Sequence, residues 1–239
     1  MRFVRTLLVI LLFSTLIFGV LLLAFRLKRV TVTGNVHYSD AQIRAMCGDA
    51  PVPENALVFC LWNRQRAVPE ACFIDRIEAE MTDRNTVALT VREKKFAGYY
   101  FENGRYWYFD AMGNVTAESE AAESPENPYI PYVNGIAPGR TALGDILPDA
   151  GSRIYERIGI MGRFIEEGAK TLPDAVFVRD GAVFLTYGKV EAALGDGDHM
   201  EEKLTALYSI LPDAAGLCGT LHLETWSENS AGYVFTKNE

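Results

Sequence analysis

The side chains in this sequence best suited to acid–base or metal chemistry near neutral pH are its three histidines, His37, His199 and His222. They lie far apart along the chain, and none belongs to the His-Glu-x-x-His pattern that holds zinc on one helix face. His37 precedes the expected start of a helix, His199 falls in the first turn of another, and His222 lies in an expected strand. We therefore expect each to be a surface or hydrogen-bonded side chain rather than a ligand or a base.

Other patterns typical of enzymes are missing. The sequence has no Gly-x-Ser-x-Gly elbow and no Gly-x4-Gly-Lys-Ser/Thr phosphate loop. Asp196-Gly197-Asp198 begins like a calcium loop, but the acidic and glycine positions that should follow do not fit one. Carboxylate pairs that meet only in the fold are the chemistry left open. We predict a protein that is not an enzyme, with no cofactor, no metal and no small-molecule substrate.

Four cysteines follow an apolar N-terminal segment, at Cys47, Cys60, Cys72 and Cys218. None forms a Cys-x-x-Cys pair, so a zinc or thioredoxin-type site is disfavoured. In an exported domain the closely spaced cysteines could pair, and Cys60–Cys72 and Cys47–Cys60 are the candidate disulfides. Buried free thiols that act as small hydrophobic side chains are the open alternative.

The apolar segment, residues 6–25, contains no charged side chain. As a helix it would be roughly 30 Å long, which matches the hydrocarbon core of a bilayer. A cleaved signal peptide would have a shorter apolar run ending in small residues, whereas this one ends in Leu23-Ala24-Phe25. We predict an uncleaved transmembrane helix behind a cytoplasmic tail of residues 1–5. Basic residues flank both ends, so charge does not fix the topology, although the short tail favours export of the rest.

The charge of the remaining chain argues against nucleic acid as a partner. The sequence has 23 basic and 31 acidic residues, and its first 29 residues hold five of the basic ones and none of the acidic. Residues 30–239 therefore carry a net charge of −13. Such a domain repels phosphate backbones.

The pattern over residues 28–94 predicts a small β-α-α-β-β unit. A strand at 30–33 ends at Gly34-Asn35, and Ser39 can cap a helix that closes at Cys47-Gly48. A second helix is expected at 57–71. Two alternating strands follow, with one face expected to carry Phe73, Asp75, Ile77, Ala79 and Met81, and the other strand pointing Val87, Leu89 and Val91 inward.

The pattern over residues 95–239 predicts a strand-rich second domain with two helices. Asn103-Gly104 between aromatic runs is a hairpin signal. One amphipathic helix is expected at 152–167, and another begins with the apparent capping box Asp198-His199-Met200-Glu201. Further strands are expected at 175–179, 182–187, 189–194, 220–225 and 232–236. The fold class is therefore α+β, with a mixed-sheet β domain and two packed helices after the first unit.

Several segments together resemble the FtsQ/DivIB family of bacterial cell-division proteins. "VTVTGNVHYSDAQI" (30–43) is similar to the start of its POTRA domain, with Gly34 and Asn35 as the turn. Val91-Arg92-Glu93 resembles the signature that ends that domain. Three further segments match in order and spacing: "YWYFDAMGNV" (106–115), "PYVNG" (131–135), and Gly195 followed by Lys203-Leu204. Leu221-His222-Leu223-Glu224 departs from the family's Ile-Asp-Leu-Arg pattern.

The resemblance implies a non-enzymatic divisome scaffold, anchored once in the cytoplasmic membrane and concentrated outside it at the septum. Its partners would be FtsL-like and DivIC/FtsB-like coiled-coil membrane proteins and, through them, the septal peptidoglycan synthase. An edge strand can accept a partner strand, and the candidate is the last one, Gly232, Tyr233, Val234 and Phe235. Tyr233 and Phe235 could instead be ordinary core residues. The alternative function is a single-pass receptor or sensor that binds a ligand.

Overall fold

The computed structural model describes residues 2–48, 54–64, 68, 73–122, 129–136, 138–168, 171–196, 198–214, 216–226 and 233–237. These residues form two units of an α+β fold, one comprising the described residues up to Lys94 and the other those from Lys95 onward. Each unit builds its own sheets from its own strands.

The first unit contains three helices and three strands. They are α1 (Arg2–Ala24), β1 (Arg29–Thr33), α2 (Asp40–Met46), α3 (Ala56–Asn63), β2 (Ile74–Asp83) and β3 (Thr86–Glu93).

Helix α1 is apolar along its length. The span Val4–Ala24 is long and apolar enough to cross a membrane, and its side chains are not buried within the chain. An N-terminal signal sequence has the same character, so the helix alone does not choose between the two. The predicted segment, 6–25, lies almost wholly inside the helix.

The sheet of the first unit has the strand order β1-β3-β2. Strand β1 runs parallel to β3, with Val32 opposite Leu89, and β2 runs antiparallel to β3. A parallel pair needs a long crossover, which here includes α2 and α3. The core beneath contains Ile43, Phe59 and Val87, together with Leu89 and Val91 as the alternation in β3 predicts.

Two predictions for this unit need correction. In β2 the pairing with β3 shifts between Ile74 and Arg76, so Asp75 is an extra, exposed residue and does not share the inner face with Ile77 and Ala79. Helix α3 occupies Ala56–Asn63 with Arg64 as its C-cap, so it ends well before the predicted bound at residue 71. Residues 65–67 and 69–71 of the predicted helix lie outside the described residues.

The predicted start of α2 is confirmed. The Ser39 side chain accepts a hydrogen bond from the Gln42 backbone N–H, and the Gln42 side chain accepts one from the Ser39 backbone N–H. This capping box satisfies backbone groups that a helix N-terminus leaves without intrahelical partners. Helix α2 ends at Met46, with Cys47 as its C-cap and Gly48 in the left-handed region.

The second unit is built largely from strands. They are β4 (Gly98–Glu102), β5 (Arg105–Phe109), β6 (Val115–Ser119), β7 (Val133–Asn134), β8 (Ala175–Arg179), β9 (Ala182–Tyr187), β10 (Val190–Gly195), β11 (Gly219–His222) and β12 (Val234–Lys237). Its helices are α4 (Ile154–Gly168) and α5 (Met200–Ala214), and a short 3-10 turn at Ala150–Ser152 precedes α4.

These strands form a three-stranded sheet, β4-β5-β6, and a six-stranded mixed sheet, β12-β11-β10-β9-β8-β7. Both helices contribute buried side chains to one core, including Ile158 and Met161 from α4 and Leu204 and Leu207 from α5. Strands β8 and β9 have the predicted bounds, whereas β11 and β12 are shifted from the predicted 220–225 and 232–236.

The hairpin between β4 and β5 turns at Asn103 and Gly104, as predicted. Both residues have positive φ, at 53° and 81°. Such two-residue turns match the right-handed twist of paired strands, and Asn-Gly is their favoured sequence.

A glycine follows each of two strands that are paired in parallel. Gly34 follows β1, and a Cβ there would collide with the carbonyl oxygen of Val91 beside it. Gly135 follows β7 and lies in the same way against the carbonyl of Val178. Both have positive φ, 83° and 89°, where only glycine is unstrained. The backbone therefore needs glycine here for conformation and for space.

The substitution Gly135→Ala should cost clearly more stability than Gly139→Ala. Gly139 has φ of 78° and open space around its missing side chain, so alanine there pays the conformational cost alone, roughly 1–2 kcal/mol. At Gly135 the strand carbonyl must also move, and we expect at least about 3 kcal/mol. Urea unfolding of the detergent-solubilised chain, followed by near-UV circular dichroism, measures both. Equal losses would contradict the steric argument.

Candidate functional site

Strand β12 is the terminal strand of the six-stranded sheet. It pairs antiparallel with β11, with Phe235 opposite Leu221 and Val234 opposite His222. On its other side the described part of the chain places no strand. An edge strand presents backbone N–H and C=O groups that another strand can pair with. At the opposite edge, β7 is only two residues long and offers little for pairing.

The side chains of β12 divide between the two faces of the sheet. Phe235 is half-buried and packs against the core, whereas Val234 is 63% exposed. Tyr233, just before the strand, is 45% exposed. Of the two aromatic residues that could have been core residues, only Phe235 contacts the core. Gly232, the fourth predicted contact residue, lies outside the described residues.

His222 connects β12 to its neighbour. Its Nε2 is 3.0 Å from Thr236 Oγ1 on β12, and its Nδ1 is 2.6 Å from Glu224 Oε1. The contact with Thr236 crosses from β11 to β12, where Val234 is the residue paired with His222. His222 therefore helps to hold the edge strand in register, a role that the sequence pattern did not suggest.

The other histidines have different surroundings. The His37 side chain is only 4% exposed, and its Nδ1 lies 2.5 Å from Glu93 Oε2. The other oxygen of Glu93 accepts hydrogen bonds from the backbone N–H groups of Val36 and His37. His199 lies in ring contact with Trp226, at 5.5 Å between centroids. Among the described residues, no cluster of three or more His, Cys, Asp or Glu side chains could hold a metal ion.

The second feature is an apolar groove of about 980 Å³ in the second unit. It lies between α4, α5 and the turn that joins β9 to β10. Its lining includes Phe164, Tyr187, Lys189, Tyr208, Ser209 and Leu217. A volume of this size is typical of small-molecule sites. Sequence reasoning missed the groove because three elements, distant in sequence, form its walls.

A pair of tyrosines contributes two hydrogen-bonded hydroxyls to the groove. The hydroxyls of Tyr187 and Tyr208 are 2.9 Å apart, and the ring of Tyr208 stacks on Phe164. Desolvation raises the pKa of both tyrosines, and burial raises the pKa of nearby Tyr129 to about 12. Both hydroxyls of the pair are therefore neutral at pH 7. One hydroxyl proton is used between them, and the other can be donated to a ligand.

The groove and the end of β12 lie close to one another within the sheet. Val190, which lines the groove, is paired with Gly219, and Gly219 is paired with Lys237 of β12. Neighbouring strands are about 4.8 Å apart, so the two features are separated by roughly 10 Å.

The pairing of Cys60 with Cys72 stays a prediction, whereas Cys47 and Cys60 are not joined by a disulfide. Cys60 is a free thiol whose Sγ lies 3.1 Å from the Ala79 carbonyl oxygen, and burial raises its pKa. Its first expected partner, Cys72, lies outside the described residues. A pKa above the ordinary thiol value makes Cys60 a poorer nucleophile at neutral pH.

Comparison with known proteins does not assign the chain. No protein-family model matches it, and no curated protein sequence matches it either. The edge strand and the groove are therefore interpreted from their own geometry.

The tyrosine pair predicts alkaline destabilisation of the second unit. Tyrosines of the unfolded chain ionise near pH 10, whereas folding raises the pKa of Tyr187 and Tyr208. The stabilising contribution is therefore complete below pH 10 and is lost as the pH rises toward the folded values. We expect the free energy of unfolding to fall by up to about 1.4 kcal/mol per pH unit for each group.

Urea unfolding between pH 8 and 11, in parallel with tyrosinate absorbance, measures this loss. In Tyr187→Phe the free energy of unfolding should fall less steeply above pH 10 than in the wild type. Below pH 9 it should stay independent of the ionisation of tyrosine in both proteins. A decline of the same steepness in wild type and variant would show that the pair does not cause it.

Proposed function

We propose that the chain is a membrane-anchored scaffold of the FtsQ/DivIB type, which acts in bacterial cell division without catalysing a reaction. The observation that carries the proposal is β12, which has β11 as its one strand partner among the described residues and from which Val234 projects into solvent. A surface of this kind suits the addition of a strand from a partner protein.

The arrangement of the first unit supports the proposal. It places two short helices between β1 and β2, and β3 in the centre of the sheet, parallel to β1. This is the β-α-α-β-β order expected of a POTRA domain. It follows directly after an apolar helix long enough to anchor it in the cytoplasmic membrane.

Residues of the motifs that carry the resemblance have definable physical roles. Glu93 orders the loop after Gly34 by accepting the backbone N–H groups of Val36 and His37. Asp110 orders the turn after β5, because its Oδ1 accepts the backbone N–H groups of Met112 and Asn114. These contacts give the motif residues Glu93 and Asp110 a structural role in ordering the turns.

The later motif has a similar explanation. Lys203, almost fully buried on α5, donates from Nζ to the Leu194 carbonyl at 2.7 Å, and burial lowers its pKa. It thereby joins α5 to β10. The roles of Glu93, Asp110 and Lys203 are structural, so they support the fold type more directly than the activity.

The proposed mechanism is recruitment. A partner strand would pair with the edge of β12 (Val234–Lys237) that faces away from β11, and Val234 would contribute an exposed apolar side chain. Main-chain hydrogen bonds would provide affinity and side-chain contacts specificity. The partners would be FtsL-like and DivIC/FtsB-like membrane proteins, which bring the septal peptidoglycan synthase. Anchoring both proteins in one membrane raises their effective concentration.

Val234→Asp should weaken binding of the ectodomains of such partners, from the same organism, at least tenfold. Desolvating a carboxylate in the added-strand interface opposes binding, whereas the exposed position leaves folding unaffected. Ile146→Asp is the matched control, because Ile146 is 69% exposed and Val234 63%, and Ile146 lies beside Asn114 rather than on β12. Calorimetry on the full chain in nanodiscs measures both affinities.

Removal of the residues after Trp226 should abolish the same binding. Equal affinities for both aspartate variants and for the truncated chain would move the contact away from β12. No binding by the folded wild-type chain would oppose the scaffold proposal itself.

The second candidate function is a ligand-binding receptor, and the groove beside Tyr187 and Tyr208 is the observation in its favour. The walls are largely apolar, the tyrosine hydroxyls provide a donor, and Lys189 adds a cation at the lining. Such a site suits a small apolar ligand with one acidic or hydrogen-bonding group.

Under this second function, Ser209→Trp should fill the groove and reduce binding of the probe 1-anilinonaphthalene-8-sulfonate at least tenfold. Glu202→Trp is the control, since Glu202 is exposed on α5 but does not line the groove. Fluorescence titration of the full chain compares the two. If the wild-type chain does not bind the probe, or both variants bind it equally, the groove loses its support as a ligand site.

A further inference from the structure

Helix α3 begins where α1 ends, and one side chain joins the two helices. The Asn55 Oδ1 accepts from the Val58 backbone N–H and so caps α3. Its Nδ2 lies 3.4 Å and 3.3 Å from the carbonyl oxygens of Leu21 and Leu22 in the last turn of α1. Asn55 is only 3% exposed, so both ends of its amide are committed within the protein.

Backbone hydrogen bonds strengthen this junction. The Ala56 N–H donates to the Phe25 carbonyl at 2.7 Å, and the Leu27 N–H donates to the Glu54 carbonyl at 2.6 Å. Arg26 and Glu54 form an ion pair at the surface beside them. The position of α3 relative to the end of α1 is thus fixed by the Asn55 side chain and by these two backbone hydrogen bonds.

The outer face of α3 is apolar. Ala56, Phe59 and Asn63 are buried and form its inner face. The opposite face carries Leu57, Val58, Leu61 and Trp62, which recur at i and i+4. Leu61 is 61% exposed and Trp62 is 52% exposed. A short helix with this much exposed apolar surface is expected to be covered in the functional state.

The distance from the membrane indicates what covers it. The span Val4–Ala24 is long enough for the hydrocarbon core, so the junction at Phe25 lies at the membrane surface. Helix α3 is eight residues long, so Trp62 is within about 10 Å of the junction along its axis, whichever way the helix points. The interfacial layer extends roughly 5–8 Å beyond the hydrocarbon core, and a tryptophan side chain covers the remaining distance.

The flanking side chains fit the same surroundings. Tryptophan is enriched at the membrane–water interface, where its ring is apolar and its N–H can reach water. Arg26, Lys28, Arg29 and Arg64, at the two ends of this region, are all exposed. Basic side chains at this depth attract anionic headgroups.

We propose that the Leu57, Val58, Leu61 and Trp62 face of α3 docks into the interfacial layer of the bilayer that α1 crosses. The proposal rests on the membrane anchor in the proposed function and adds a second, lateral contact with the lipid. A single transmembrane helix would let the first unit tilt and rotate relative to the membrane, whereas a second contact with the lipid restricts both movements. The first unit would then be held in one orientation at the membrane surface.

The test is quenching of tryptophan fluorescence by lipids brominated near the top of the acyl chains. The full chain is reconstituted in vesicles and recovered by flotation, which shows that it is anchored. We expect emission to fall by up to about one third relative to ordinary lipid, because Trp62 is one of three tryptophans and alone lies in the interface. Trp62→Phe should remove the loss, and Trp226→Phe should preserve it.

A second pair of variants tests the face rather than the fluorophore. Leu61→Asp should reduce the quenching of Trp62 by at least half, whereas Val36→Asp, also at an exposed apolar position of the first unit, should leave it unchanged. Circular dichroism confirms that both variants fold.

Each contrary result has a distinct meaning. A chain that floats but is not quenched overturns the docking of α3 and leaves the anchored scaffold intact. A loss of the same size in Trp62→Phe also overturns it, because another tryptophan would be responsible. A chain that does not float overturns the membrane anchor together with this inference. Shielding of Trp62 from the lipid by a co-reconstituted partner would assign the face to a protein instead.

Discussion

The hydrogen bonds of Asn55 connect the apolar helix to the rest of the first unit. The last carbonyls of a helix have no intrahelical donors, and at the edge of a hydrocarbon layer an unsatisfied carbonyl is costly. The Nδ2 of Asn55 donates to the Leu22 carbonyl and shares the Leu21 carbonyl with the backbone N–H of Phe25, and its Oδ1 caps α3. The proposed anchoring, orientation and recruitment all depend on a folded unit that begins at this junction without a flexible spacer.

Beyond the junction, both units meet the same backbone requirement in the same way. The chain must turn away from the sheet after a strand paired in parallel. Gly34 and Gly135 permit this turn because they have no Cβ to collide with the carbonyl oxygens of Val91 and Val178. Carboxylates then order the exposed turns, Glu93 in the first unit and Asp110 in the second. Rigid turns of this kind keep the strands in register, and register determines which side chains a sheet edge presents.

The edge strand and the groove suggest different functions for the second unit. Strand addition at β12 uses backbone groups and needs little side-chain chemistry, which suits a scaffold. The groove has a hydrogen-bond donor in the Tyr187 and Tyr208 pair and suits a small ligand. The exposed side of β12 is the reason to test the scaffold, and the geometry of the groove is the reason to test the receptor.

The sequence by itself determined the local features: the cap at Ser39, the inward face of β3, the Asn103-Gly104 turn and the α+β class. Each depends on residues within one element, where periodicity and backbone preference decide the outcome. Only the tertiary structure decided the features that depend on distant contacts. A bulge moved Asp75 outward, pairing with β11 left β12 at an edge, and three separate elements enclosed the groove. Asn55 caps α3 through a local contact with Val58, but its contact with α1 crosses more than 30 residues and exists only once both helices are in place.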